Sequence, residues 1–181
     1  MKTESTVLYV LRLALTLLII TAVVAALLAG VNSITKPEIE KLTAQKTQAA
    51  IEAVLPGGGE AVDFPATNLV SKVYASETGY AVEVKPAGFD NTITMMVGVN
   101  KEGNVLGIDI ISHTETAGLG AVADAATPAG VSFRAQFVGK TGSVSVAKDG
   151  GEIEAITGAT ITSRAVCVGV NAALEVVGKM G

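Results

Sequence analysis

The chain has 181 residues, 49 % of them apolar, a net charge of −4, one cysteine and one histidine. That length and apolar content provide one domain with a core, plus attachments. A lone cysteine excludes an intramolecular disulfide framework and a CxxC pair, a lone histidine leaves no metal site without scattered carboxylates, and the negative balance with dispersed Lys and Arg argues against nucleic acid as a partner.

The first element is "LALTLLIITAVVAALLAGV", Leu13–Val31, 19 residues without a charge. At about 1.5 Å rise per residue it reaches roughly 28 Å, the thickness of a hydrocarbon core. A cleaved signal has a shorter apolar region, about 7–15 residues, and a small-residue cleavage site. No such site precedes Asn32, and Leu27–Gly30 is followed by Val31 where a lipidated cysteine would be needed. The segment therefore reads as an uncleaved transmembrane anchor in contact with membrane lipid. Lys2 and Arg12 before the span face Lys36, Lys41 and Lys46 after it, a difference too small for charge to give an orientation.

The next stretch predicts a linker helix, with Thr35 as its cap, Pro37 in its first turn, and Pro56 with Gly57, Gly58 and Gly59 as its stop. Ile39, Leu42, Ala49 or Ala50, and Val54 give it a thin apolar stripe. From Leu69 the pattern changes to "LVSKVYAS", "GYAVEVKPAG", "TITMMVGVN" and "VLGIDIIS", read as a four-stranded antiparallel meander with a hairpin turn at Asn100–Asn104. A Gly-rich loop, "SHTETAGLGAVADAATPAG", precedes a helix or strand piece at "SFRAQFVGK" and a strand at "SVSV". Cys167, Val170, Leu174 and Val177 then recur at helical spacing and predict a final amphipathic helix. The expected fold class is α+β: an N-terminal transmembrane helix, then one domain in which helices pack on an antiparallel sheet. Its expected divisions are a tail over 1–12, the anchor over 13–34, the linker helix over 35–59 and the domain over 60–181.

"AITGATITSRAV", residues 155–166, carries the chemistry-bearing residues. One reading needs no ligand: a glycine turn, then Thr162 or Ser163 capping the last helix. The other starts from the same geometry, because a Gly-containing loop running into a helix N-terminus presents N–H groups and a positive dipole end to a phosphate. No Gly-Lys-Ser/Thr of a P-loop and no GxGxxG of a dinucleotide fold is present there.

"TGAT", Thr157–Thr160, followed by "ITS", resembles the flavinylation motif of the FMN-binding domain shared by RnfG and NqrC, membrane-anchored subunits of ion-pumping redox complexes. "SHTETAGLG", Ser112–Gly120, is similar to a second signature of that family, usually E-T-P-G-L-G, and "FRAQFVGK", Phe133–Lys140, resembles a third. With the N-terminal span the resemblance covers nearly the whole chain, and it is closer to RnfG than to the longer NqrC. Glu154 stands where the family often has Asp ahead of the tetrad, and Ala117 where it usually has Pro.

The resemblance implies that FMN is joined by a phosphoester to Thr160 Oγ, by a dedicated flavin transferase that uses FAD. Thr157, Gly158, Ala159, Thr162 and Ser163 would surround the phosphate, and Glu115, Thr116, Gly118, Leu119 and Gly120 would lie beside the flavin ring. Lys140 is a further candidate counter-charge, against the simpler reading as a solvated lysine. His113 reads more simply as a surface or core residue, and Cys167, on the apolar stripe, as a buried and inert thiol.

The function implied is an electron-carrying subunit of an Rnf-type ferredoxin:NAD oxidoreductase that moves Na⁺ or H⁺, in the cytoplasmic membrane with its domain on the periplasmic or extracellular side. The chain has no nicotinamide site, no iron–sulfur cysteines and no carboxylate within Leu13–Val31, so other subunits must complete the pump. Competing expectations are a free-standing flavinylated protein of an extracellular electron-transfer or reductase pathway, and a membrane-tethered binding module whose TGAT run is only a cap.

Overall fold

The computed structural model describes residues 2–65 and 67–180. Met1 and Gly181, the outer ends of the expected tail and domain, lie outside the described residues. Contacts divide the chain into two units, Met1–Ala44 and Gln45–Gly181.

One helix, α1 (Lys2–Val54), runs through both the expected anchor and the expected linker without a break. Thr35 is therefore not a cap: it lies inside the helix, and its hydroxyl donates to the Val31 carbonyl at 3.0 Å. Pro37 removes one amide donor, which does not suffice to stop a helix already propagating on both sides. Leu13, Leu17, Ile20, Leu27 and Val31 are all exposed, an arrangement costly in water and natural in lipid. Ile39 and Leu42 of the expected stripe are exposed as well. Only its end is covered, where Ala50, Ile51, Val54 and Leu55 are buried.

The second unit is built on an antiparallel sheet of five strands in sequential order: β1 (Glu60–Val62), β2 (Val70–Ala75), β3 (Gly79–Val84), β4 (Thr94–Asn100) and β5 (Val105–Ser112). The expected meander is present as β2–β5. The additional β1, three exposed residues paired with β2, is too short for alternation to register in the sequence. Asn100 closes the β4–β5 turn, its side-chain oxygen accepting from Asn104 N–H at 2.7 Å.

Alternation along the strands sends two sets of side chains to opposite faces. Val82, Val84, Met95 and Val97 pack against α3 (Thr160–Met180) through Val166, Val170, Ala173 and Val177. Ala81, Met96 and Ile111 receive the C-terminal turns of α1 through Ile51, Val54 and Leu55. The α+β expectation therefore holds, with helix on both faces of the sheet. α3 is long and apolar enough to span a membrane by composition, but over half of its apolar window is buried, as in a core helix.

Between β5 and α3 the chain is mostly irregular. Only the first part of "SFRAQFVGK", residues 132–135, is helical: α2 (Pro128–Ala135) starts earlier, inside the expected loop, with Thr127 as N-cap and Pro128 in its first turn, and residues 136–139 turn out of it. The expected "SVSV" strand does not form, beyond a single bridge between Val146 and Ile153. Asn171 of α3 takes the place of a neighbouring strand, its side-chain oxygen accepting from Val144 N–H at 2.7 Å and its amide donating to the Val144 carbonyl at 2.8 Å. Gln136 does the same for Glu154, accepting at 2.7 Å and donating at 3.2 Å. These two amides fix the irregular segment that leads into "ITGAT".

Candidate functional site

"ITGAT" turns tightly before α3. Ala159 N–H donates to the Ile156 carbonyl at 2.9 Å, and Gly158 takes φ of 78°, in the left-handed region that glycine adopts without strain. A Cβ at Gly158 would also come within 2.9 Å of Leu119 Cδ2, so a larger residue there would have to push that side chain aside.

Helix α3 starts at Thr160, two residues before Thr162 and three before Ser163, the two expected caps. The Ala159 carbonyl accepts from Ser163 N–H at 3.0 Å, so Thr162 and Ser163 lie within the first turn and neither is the N-cap. Both hydroxyls have other structural work. Ser163, fully buried, accepts from Ile156 N–H at 3.0 Å and donates to the Ala159 carbonyl at 3.0 Å, tying the turn shut. Thr162 donates to the carboxylate of Glu115 at 2.5 Å.

That leaves Thr160. It is half-buried, and with Gly158, Ala159, Ile161 and Thr162 it lines a cleft of about 300 Å³ whose remaining walls include Glu115, Thr116, Leu119 and Gly120. Eight of the eleven sequence-predicted site residues thus meet in one cavity. Thr157 and Gly118 instead line a neighbouring cleft of about 380 Å³, with Ala155 and Ile156. Ser163 lines neither cleft, because its side chain faces the turn it closes.

Two cleft residues, Phe89 and Lys148, lie outside the quoted motifs, and Ile161 lies within "ITS" without having been singled out. Lys148 Nζ lies 3.4 Å from Thr160 Oγ1. It sits on a short 3-10 turn, Ala147–Asp149, and the next residue, Asp149, accepts two hydrogen bonds from Arg164 of α3, at 2.7 and 2.6 Å. Those hydrogen bonds hold the Asp149 carboxyl below the usual carboxylate range and push Arg164 up. The pair neutralises itself and leaves the Lys148 charge beside the Thr160 hydroxyl. Lys140, the counter-charge weighed from sequence, is paired with Glu152 and does not line this cleft. Nothing in the spacing of "AKDG" marks Lys148. Phe89 did carry a signal, an aromatic residue within the turn "PAGFDN".

The cleft suits a phosphorylated aromatic cofactor. The first amides of α3 have no i−4 carbonyl within the helix to bond, its dipole end is positive, and an ammonium stands at the same place. Phe89, Leu119 and Ile161 are exposed apolar side chains along the cleft, a surface for a flat ring. Its volume is at the lower end of the range for ligand pockets, so a ring held there would keep part of its edge in solvent.

His113 stays outside the cleft. Its Nδ1 accepts from Glu115 N–H at 3.2 Å, and Nε2 is 3.7 Å from Asp124. Cys167 is buried in the core, where burial first and the Asp149 charge second push its thiol up to about 11, as expected for an inert side chain. Among the described residues no three His, Cys, Asp or Glu side chains cluster to hold a metal.

The profile of the FMN-binding domain matches residues 88–175, and that of the RnfG N-terminal region matches residues 1–54. The chain is 33 % identical to the G subunit of the Na⁺-translocating ferredoxin:NAD⁺ oxidoreductase complex of Acetobacterium woodii, over 92 % of this chain and 91 % of that one. It is 32 % identical to the G subunit of the ion-translocating oxidoreductase complex of Methanosarcina acetivorans, over 92 % and 93 %. Identity to the G subunit of the proton-translocating ferredoxin:NAD⁺ oxidoreductase complex of Clostridium ljungdahlii is 34 %, over 82 % and 81 %.

Proposed function

The chain belongs to the RnfG family of ion-translocating oxidoreductase complexes and carries its FMN-binding domain, and we propose that it serves such a complex as an electron relay with FMN tethered to Thr160. The observation that carries this reading is the placement of Thr160: a half-buried hydroxyl at the start of α3, on a cleft with an apolar wall and a lysine at 3.4 Å. When bound, FMN supplies reversible electron transfer through its ring system.

The chain's own residues supply tether, charge and shape. Thr160 Oγ is the acceptor: a new P–O bond forms to it from FAD, the pyrophosphate bond breaks, AMP leaves, and the hydroxyl proton is released. A flavin transferase is the partner for that step. Afterwards Lys148 and the α3 N-terminus face the remaining phosphate charge. Gly158 and Ala159 keep the backbone close, and the Thr116–Gly120 segment forms a wall of the ring site. Thr157, Gly118 and Ser163 shape the turn and its neighbouring cleft.

A covalent tether prevents loss of the cofactor on a side of the membrane where free FMN is scarce, and the domain is assigned to the periplasmic or extracellular side on that ground and on family membership. The Leu13–Val31 segment of α1 anchors it in lipid. Ferredoxin oxidation, NAD⁺ reduction and ion movement are left to other subunits, because this chain has no iron–sulfur cysteines and no charge in its span.

The reading is tested by expressing the chain with and without the transferase and viewing a denaturing gel under ultraviolet light. A fluorescent band that requires both the transferase and Thr160 supports it. A dark band in the presence of the transferase overturns it.

A further inference from the structure

Phe89 is 66 % exposed, whereas Phe133 and Phe137 are in the core, edge to face at 5.4 Å between ring centres. Among the described residues beyond α1, it is the only aromatic one of the large apolar side chains left exposed. Exposing a phenyl ring forfeits the burial that stabilises its counterparts, yet the fold takes particular care over where this one sits. Glu115, a carboxylate only 8 % exposed, reaches across 26 residues of sequence to accept Phe89 N–H at 2.8 Å and Asp90 N–H at 3.4 Å through Oε1. Its other oxygen accepts from Thr162 at 2.5 Å.

Two glycines make room for that carboxylate. A Cβ at Gly88 would collide with Glu115 Oε1, and one at Gly120 with Glu115 Oε2 and Thr162 Oγ1. Both carboxylate oxygens are thus occupied by protein donors. Glu115 joins the Gly88–Asp90 turn, the Glu115–Gly120 loop and the first turn of α3, three of the segments that line the cleft.

We propose that Phe89 is the aromatic contact for the flavin ring and that Glu115 is the positioning residue that presents it, spending its carboxylate on the cleft wall and not on the cofactor. This rests on the cleft being the FMN site, and extends that reading by naming the ring contact. Leu119 and Ile161, 44 % and 49 % exposed, complete the apolar surface. A flat aromatic ring and a phenyl side chain gain from stacked or edge-to-face packing beyond their area alone.

The test uses the full chain in detergent and reads flavin fluorescence, which a phenol in contact quenches by electron transfer and a phenyl ring does not. Flavin content is matched after denaturation. Phe89→Tyr is expected to lower native fluorescence several-fold, and Phe89→Leu to leave it near the parent. Adding Glu115→Ala to Phe89→Tyr should restore the fluorescence. Adding Glu115→Gln, whose carbonyl oxygen can still accept both amides and whose NH₂ can donate to Thr162 Oγ1, should not.

A second measurement does not depend on the tether: FMN added to the Thr160→Ala chain should be quenched when Phe89→Tyr is present, and not when Phe89→Leu is. A parent chain without covalent flavin contradicts the tether alone, since the titration still reads the ring contact. Flavin fluorescence left unchanged by Phe89→Tyr in both formats overturns the proposal.

Discussion

Lys148 Nζ stands 3.4 Å from Thr160 Oγ1, on a turn held to α3 by the paired hydrogen bonds between Arg164 and Asp149. A hydroxyl that must accept a phosphoryl group gains from a cation placed to meet the incoming negative charge. Lys148→Glu is expected to lower the fraction of chains carrying flavin several-fold in cells that contain the transferase, and Lys148→Arg to retain most of it. Arg164→Ala should fall between the two, because it frees the turn without removing the charge. Absorbance of flavin per protein after denaturation gives the measure, and equal occupancy in all three variants would rule out a role for this cation.

Ser163 closes the turn from within α3 and not from its end. Ser163→Ala leaves Ile156 N–H without its acceptor, at a cost of about 1–3 kcal/mol for a donor removed from water. Chemical denaturation of the full chain in detergent is the measurement, with the N-cap variant Thr127→Ala in α2, expected to cost about 1 kcal/mol, as the comparison. Ser163→Ala is expected to lose at least as much as Thr127→Ala. A loss below a few tenths of a kcal/mol would mean that the turn does not depend on this hydroxyl.

Period and turn chemistry made much of the domain legible. Strands β2–β5 showed as alternating runs, the Asn100–Asn104 turn as a polar cluster with glycine, and α3 as a helical stripe through Cys167, Val170 and Val177. β1 was missed because three residues carry no period. "SVSV" alternates like a strand, but Asn171 and not another strand satisfies its backbone, and a side-chain amide across 27 residues leaves no local trace. At the site, the two motifs gathered eight residues into one cleft. Thr162 and Ser163 looked like caps because hydroxyls before an apolar stripe usually are, and the helix starts earlier because Ala159 already supplies its first carbonyl. Lys148 and Phe89 were missed for a different reason: they are loop residues brought to the cleft by Asp149 and Glu115, so Lys148 left no signal, and the aromatic in "PAGFDN" did not say which site it joins.

Asp109 carries a pH dependence of its own. Burial first, and the nearby Asp124 charge second, raise its carboxyl above 3.8 in the fold. A raised folded value means that the ionised form is disfavoured in the native state, so its contribution is most favourable below the unfolded value and is lost as pH rises through the folded one. Asp109→Asn should therefore raise the thermal midpoint at pH 7, with the gain shrinking as pH falls toward 3.8. Thermal unfolding at pH 7 and pH 4 checks this. A midpoint unchanged at pH 7, or a gain that grows toward acid, would contradict the assignment.

Thr160 as the tether is the central claim, and trypsin isolates it. Cleavage after Lys148 and Arg164 releases Asp149–Arg164, a peptide holding Thr157, Thr160, Thr162 and Ser163 together. Fragmentation mass spectrometry of that peptide, from cells containing the transferase, should find the mass of FMN less one water on Thr160, absent in Thr160→Ala and restored in Thr160→Ser. An unmodified peptide, or FMN on any of the other three hydroxyls, would contradict the account.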